Sequence, residues 1–340
     1  MVENNLTDKV RQYLAPIQGR DIDISHIRKE FNIDPASPAW EGLRVILYRF
    51  CEGDKPLLRA SGKKDGVYRV ITQVKPVRVF GDIERRPPFM LMFPKDRETQ
   101  LEMWFAEQIN IREGDLILIA GRSNYGKTTL CMNFLGENID KNPILMGNEY
   151  TTLNEQGEYE PAQRFLSRID TMKWVNWVDE NGGDKFTLLP VRDDYASHIQ
   201  KDRINIIDWI NIDTGEHYMI GTILEAIKKR LGRGIAIIAI QKAEGAEAGR
   251  GGQFTKDFAD LELLVDALGK DEILMTLGKV KDPKPGCRLY GKTYGYSIWD
   301  NGVVIKNFRE VITCPQCKGK SVGGNGRCDK CNGKGKVDAK

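Results

Sequence analysis

Leu116-Ile-Leu-Ile-Ala-Gly121-Arg-Ser-Asn-Tyr-Gly126-Lys127-Thr128 is an apolar run that ends in a full GxxxxGK[ST] loop. A helical pattern, Thr129-Leu-Cys-Met-Asn-Phe-Leu135, follows it directly. Strand, glycine loop and helix in this order are the setting in which the motif cradles phosphate. The residue types follow from the chemistry. Glycine lets backbone N–H groups converge on phosphate oxygens, and the start of the next helix adds positive potential. Gly121, Arg122, Ser123, Asn124, Tyr125, Gly126, Lys127, Thr128 and Thr129 are therefore the expected nucleotide-binding residues. Lys127 is placed to reach the β- and γ-phosphates, and Thr128 to hold Mg²⁺. The expected ligand is a nucleoside triphosphate, ATP, with its magnesium ion.

Composition narrows the setting. The chain has 340 residues, 41% hydrophobic and 29% charged, which suits a soluble protein of two or three domains. Net charge is +3, so a nucleic-acid footprint has to be local. No apolar run approaches transmembrane length, and Met1-Val-Glu-Asn-Asn-Leu-Thr-Asp8 lacks the basic and apolar regions of a signal peptide. A cytoplasmic protein without a membrane partner is expected. Four of the seven cysteines cluster near the end, which favours a metal site in a reducing compartment over disulfides.

Residues 111–308 alternate apolar strands with helical stretches. The strand candidates are 116–120, 143–146, 204–207, 235–240, 273–277 and 296–299; the helices lie at 127–136, 160–172, 218–231 and 256–264. Such alternation predicts an α/β domain with a mainly parallel sheet and helices on both faces. Three strand ends carry chemistry. Arg203-Ile-Asn-Ile-Ile-Asp208 ends in a carboxylate that can join Thr128 around Mg²⁺. Ile144-Leu-Met-Gly-Asn-Glu149 offers Glu149 as the base that activates water. Ile235-Ala-Ile-Ile-Ala-Ile-Gln241 ends in an amide able to sense the γ-phosphate. The Gly-rich stretch Ala243–Lys256 follows; with Lys242, Arg250 and Lys256 it reads either as a DNA-contacting loop or as solvated surface.

Upstream, residues 1–79 read as three short helices and a hairpin. Ser25 is the expected cap of the second helix. Ser37-Pro38 opens the third, with Trp40, Leu43, Leu47 and Phe50 at helical spacing. Strands at Leu57–Ala60 and Val67–Ile71 flank the basic turn Ser61-Gly-Lys-Lys-Asp-Gly66. This order resembles a winged-helix domain, which implies DNA contact; a protein-docking domain of the same shape is the alternative. Residues 80–110 read as a linker containing Arg85-Arg86-Pro87-Pro88 and an amphipathic helix, Glu98–Gln108, with Leu101, Trp104 and Phe105 on one side. That helix packs either on a neighbouring subunit or on its own core.

Taken in order, Gly121–Thr128, Met146-Gly-Asn-Glu149, Ile206-Ile-Asp208, Gln241-Lys242 and Asp257-Phe-Ala-Asp-Leu-Glu-Leu263 resemble the RecA-like ATPase core. The resemblance is closest to DnaB-like replicative helicases of phage or mobile elements. It implies ATP hydrolysis, single-stranded DNA, a hexameric homo-oligomer and replication proteins as partners, in a host cytoplasm if phage-encoded. It further implies that Lys279 and Lys281, in Leu274-Met-Thr-Leu-Gly-Lys-Val-Lys281, reach a neighbour's ATP, where the family has a Lys-x-Arg pair. Arg288 is the alternative finger, and a solubilising strand edge the alternative role for the lysines.

The tail, 309–340, carries Cys314-Pro-Gln-Cys317 and Cys328-Asp-Lys-Cys331. Two CxxC pairs can each grip one edge of a tetrahedral Zn²⁺. Gly319 and Gly333 follow each pair at the same offset, similar to the CxxCxGxG knuckles of DnaJ. Four thiolates leave no open position, so the expected site is structural. Its surrounding lysines suit nucleic acid, a partner protein, or merely charge balance. The whole reads as a DNA-dependent ATPase, a helicase-like motor. A recombinase or helicase loader of the same fold, and a nucleotide-gated DNA-binding regulator, are the alternatives.

Overall fold

A computed structural model describes residues 2–53, 55–81, 83–147, 149–210, 219–242, 249, 252–323 and 326–339. Asn148, Arg250 and most of the Gly-rich 243–256 stretch lie outside the described residues. The chain divides into two compact units, residues 1–85 and 86–340.

The first unit runs α1 (Val2–Leu14), β1 (Asp21–Asp23), α2 (Ile24–Glu30), α3 (Pro38–Phe50), β2 (Leu58–Ala60) and β3 (Val67–Val70). β3 lies between β1 and β2, antiparallel to both. Ile27, Leu43, Leu47 and Leu58 are wholly buried where the helices meet the sheet. The cap of α2 is Asp23, not Ser25: the Asp23 carboxylate accepts from Ser25 N at 2.8 Å. A carboxylate also favours the positive end of the helix dipole. In the basic turn, Lys63 pairs with Asp21 at 2.8 Å, and Arg69 reaches the same carboxylate at 3.2 Å.

The second unit is built on a ten-stranded sheet. Its elements are β4 (Leu116–Gly121), α4 (Lys127–Glu137), β5 (Ile144–Met146), the hairpin β6 (Thr151–Leu153) and β7 (Tyr159–Pro161), α5 (Gln163–Thr171), β8 (Thr187–Leu189), α6 (Tyr195–His198) and β9 (Ile204–Ile207). They continue with α7 (Met219–Lys228), β10 (Ile235–Gln241), α8 (Gln253–Phe258), β11 (Leu261–Leu268), β12 (Glu272–Val280), β13 (Thr293–Trp299), a turn labelled α9 (Asp300–Val303) and β14 (Val304–Thr313). Short strands β15 (Val322–Gly323), β16 (Gly326–Arg327) and β17 (Lys336–Asp338) finish the chain. The sheet order is β17-β14-β13-β12-β11-β4-β10-β9-β5-β8. From β8 to β11 neighbouring strands are parallel; from β11 to β17 they are antiparallel. The α/β class expected from sequence is therefore observed, with β10 standing between the phosphate-loop strand and the strand that precedes Asp208.

Continuous apolar runs are what strands covered on both faces require. Along β4, Ile117 and Ile119 enter one core while Leu116, Leu118 and Ala120 enter the other. Along β10, Ile235, Ile237 and Ala239 separate in the same way from Ala236, Ile238 and Ile240.

Two expectations need correction. The helix expected over 256–264 ends at Phe258, and Leu261–Leu268 is a strand beside β4. The amphipathic helix expected over Glu98–Gln108 is absent; a short 3₁₀ turn at Ala106–Gln108 stands in its place. Asp96 diverts the chain there, its Oδ1 accepting from Glu98 N at 2.8 Å and Thr99 N at 3.2 Å. Such side-chain-to-backbone bonds compete with helix. Residues 86–110 belong to the second unit, and β14 runs through 308/309 to pair with β17 of the tail.

Candidate functional site

Strand register assembles the site. Gln241 pairs with Gly121, Ile238 with Ile207, and Ile207 with Met146. The residues that follow these positions consequently meet at one edge of the sheet. They line a cleft of about 550 Å³ formed by Ser123 to Thr129, Glu149, Asp208 and Gln241. That size suits a nucleotide-scale ligand. Gly121 and Arg122, also expected there, are not among the residues that line it.

The loop takes the backbone its glycines and asparagine allow. Asn124 (φ 67°) and Gly126 (φ 79°) are left-handed, and Gly126 caps α4. Lys127 is 8% exposed. Its ammonium donates to the carbonyl oxygens of Gly121 at 3.0 Å and Arg122 at 2.7 Å. Burial lowers its proton affinity, against the charges of Asp208, Cys131 and Glu149. Arg122 lies 4.7 Å over the Tyr125 ring and donates to its hydroxyl at 2.5 Å. Thr129 Oγ1 donates to Gly302 O at 2.6 Å, and Asn133 Nδ2 to Val303 O at 2.7 Å, which pins α4 to the turn before β14.

Asp208 is 5% exposed. Its Oδ2 accepts from the Tyr150 hydroxyl at 2.6 Å, and its backbone N–H donates to Met146 O at 2.9 Å. Its Oδ1 is buried with no partner among the described residues. An unmet buried carboxylate oxygen is costly. Lining one cleft with the Thr128 hydroxyl, it fits a hydrated divalent cation bound with a nucleotide. Burial, then the charge of Asp208, raises the Tyr150 hydroxyl well above its usual range.

Glu149 is exposed within the cleft and Gln241 half-buried. Lys279 and Lys281 are not part of it. Lys279 donates to the carbonyls of Lys256 and Asp257 at the end of α8, and Lys281 pairs with Asp260 at 2.6 Å. Arg288 is exposed and outside the cleft. Lys242, expected with Arg250 and Lys256 either to contact DNA or to lie on solvated surface, is buried and paired with Asp266.

Sequence reasoning passed over Tyr150, Arg164, Arg168 and the turn Lys270-Asp271-Glu272. The two arginines and the turn line the cleft directly. Tyr150 had a signal, since it follows Glu149 at a strand end. Arg164 and Arg168 had one too, a four-residue spacing on an expected helix.

In the tail, the Sγ atoms of Cys314, Cys317, Cys328 and Cys331 lie within 4.8 Å of one another. Cys314–Cys328 is 3.9 Å and Cys317–Cys331 3.6 Å. A tetrahedron with Zn–S bonds of ~2.3 Å has edges of roughly 3.8 Å, so the thiols fit zinc. Gly319 (φ 84°) and Gly333 (φ 75°) make the left-handed turns expected of the knuckles. The knuckle is tied to the cleft wall: Lys334 pairs with Glu272, which also pairs with Arg309 at 2.7 Å.

No protein-family model and no curated protein sequence matches the chain. Among solved structures, the RadB recombinase is similar at 16% identity and a TM-score of 0.41, over 58% of this chain and 91% of that one. That is a distant likeness, and no activity follows from it.

Proposed function

We propose that this chain is a DNA-dependent ATPase. The observation that carries the reading is the convergence of Lys127, Thr128, Asp208, Glu149 and Gln241 on one cleft at the end of parallel strands. Lys127 leaves the loop carbonyls for the β- and γ-phosphates. Thr128 and Asp208 would hold Mg²⁺, which when bound would neutralise charge shared by those phosphates. Glu149 takes a proton from water. The water oxygen bonds to the γ-phosphorus as the bond to the bridging oxygen breaks, and that electron pair leaves with ADP. Gln241 bonds the γ-phosphate and registers its loss. The cysteine tail holds zinc, which when bound staples a segment too short for its own core.

The first unit has the helix and strand order of a winged helix, which supports DNA as partner. A hexameric motor on single-stranded DNA is the reading we favour; a recombinase or loader uses the same cleft to control assembly. Strand displacement on a forked duplex separates them, because only the motor unwinds it. For the chemistry, Glu149→Gln should retain ATP while turnover falls ~10²–10⁴-fold. Lys127→Ala should lose ATP binding. Unchanged turnover in Glu149→Gln, measured as phosphate release with and without single-stranded DNA, would remove Glu149 as the base.

A further inference from the structure

We propose that Arg168, with Arg164 one turn earlier on α5, is the cation that meets the γ-phosphate, supplied by the same chain that holds the nucleotide. This rests on the ATPase reading above and names a residue that reading lacks.

Position argues for it first. Both arginines line the cleft together with Glu149 and Asp208. Between them Phe165 is 3% exposed, its ring centroid 5.0 Å from that of Tyr150. Tyr150 in turn holds Asp208 Oδ2. The helix carrying the arginines is thus anchored on the residue that orients the acid. The Arg168 charge is near enough to oppose the burial of the Tyr150 hydroxyl.

Partnership argues for it second. Among the other cations near the site, Lys127 is on loop carbonyls, Lys242 on Asp266, Lys279 on the end of α8 and Lys281 on Asp260; Lys270 also lines the cleft, but it stands exposed on the turn before β12. Neither Arg164 nor Arg168 has an ion pair or side-chain hydrogen bond among the described residues, and Arg168 Nε is buried without a partner. Two other half-buried guanidinium groups of the unit have carboxylates on their terminal nitrogens, Arg97 on Glu137 and Arg309 on Glu272, although Arg97 Nε is likewise unmet. A desolvated donor left unmet in a cleft that fits a polyphosphate is matched by that ligand's oxygens. A planar guanidinium can bond two oxygens of the γ-phosphoryl group as its bridging bond lengthens, which an ammonium cannot do in the same geometry. The proton still goes to Glu149 and the electron pair to ADP.

Complementation in trans provides the test. Arg168→Ala should lower kcat by about 10³-fold or more. Its ADP affinity should stay close to the parent's, which also shows that the variant folds. Arg168→Lys should recover a small part of the loss, and Arg164→Ala should show a smaller one. Mixing Arg168→Ala chains with Lys127→Ala chains should give no recovery, because neither has both groups on one chain. Activity restored by the mixture, or parental turnover in Arg168→Ala alone, overturns the proposal. A parent chain that binds and hydrolyses no ATP overturns the ATPase reading and this one with it.

Discussion

Asp208 and Asp115 show how much one carboxylate depends on its surroundings. Asp208 keeps one oxygen on Tyr150 and leaves the other for a ligand. Asp115, just before β4, has its pKa pushed up to about 6, first by burial. Arg112 N, donating at 2.7 Å, opposes this, and nearby Asp260 adds to it against Lys228 and Lys281. The folded chain therefore binds the Asp115 proton more tightly than the unfolded chain, whose reference value is 3.8. Stability tied to that proton is complete below 3.8 and lost as pH rises through about 6. Asp115→Asn should accordingly gain stability over the parent on going from pH 4 to pH 7.5, read by urea unfolding at each pH. An advantage that shrinks with pH would refute the assignment. The motif residues were legible because phosphate chemistry dictates residue type at fixed spacing. Tyr150 and Arg168 left only a positional hint, because their roles come from what stands opposite them.

At the level of elements, the misread stretches share a cause. Leu261-Glu-Leu-Leu-Val265 has apolar spacing that suits a helix as well as a buried strand. Pairing with Ile117 to Gly121 of β4 makes it a strand, its side chains divided between two cores. The 98–108 stretch likewise has helical spacing, yet the Asp96 turn and the Phe308 N–H donating to Asp96 Oδ2 at 2.7 Å hold it open. A helix would have given Trp104 and Phe105 similar burial. Instead Phe105 is fully buried against Phe93 and Tyr294, while Trp104 is 48% exposed. Phe105→Ala should cost about 3–5 kcal/mol in chemical denaturation. Trp104→Ala should cost within about 0.5 kcal/mol. Equal costs would contradict the observed backbone.

On the scale of the whole molecule, the tail is an extension of the ten-stranded sheet. β17 pairs with β14 from Val311 to Thr313, and Lys334 and Arg309 meet on Glu272 at the cleft wall. The purified protein should carry about one zinc per chain by elemental analysis, as four-thiol sites do. Removing it with a chelator, or by Cys328→Ser, should open the tail from residue 314 to protease while leaving strands β4, β9, β10 and β11 resistant, since the parallel strands keep both covers. Protection of the tail after zinc loss would show that the thiols bind no structural metal.

From its sequence alone this protein declared a GxxxxGK[ST] loop, an α/β alternation, acidic and amide strand ends and two CxxC pairs. Each is local chemistry whose spacing survives without a fold. Tertiary structure decided which strands are neighbours, that β10 separates Gly121 from Asp208, and that the arginines of α5 line the cleft. Those are long-range facts. They follow from register and from which charges find partners on burial, and no window of sequence contains both members of such a pair.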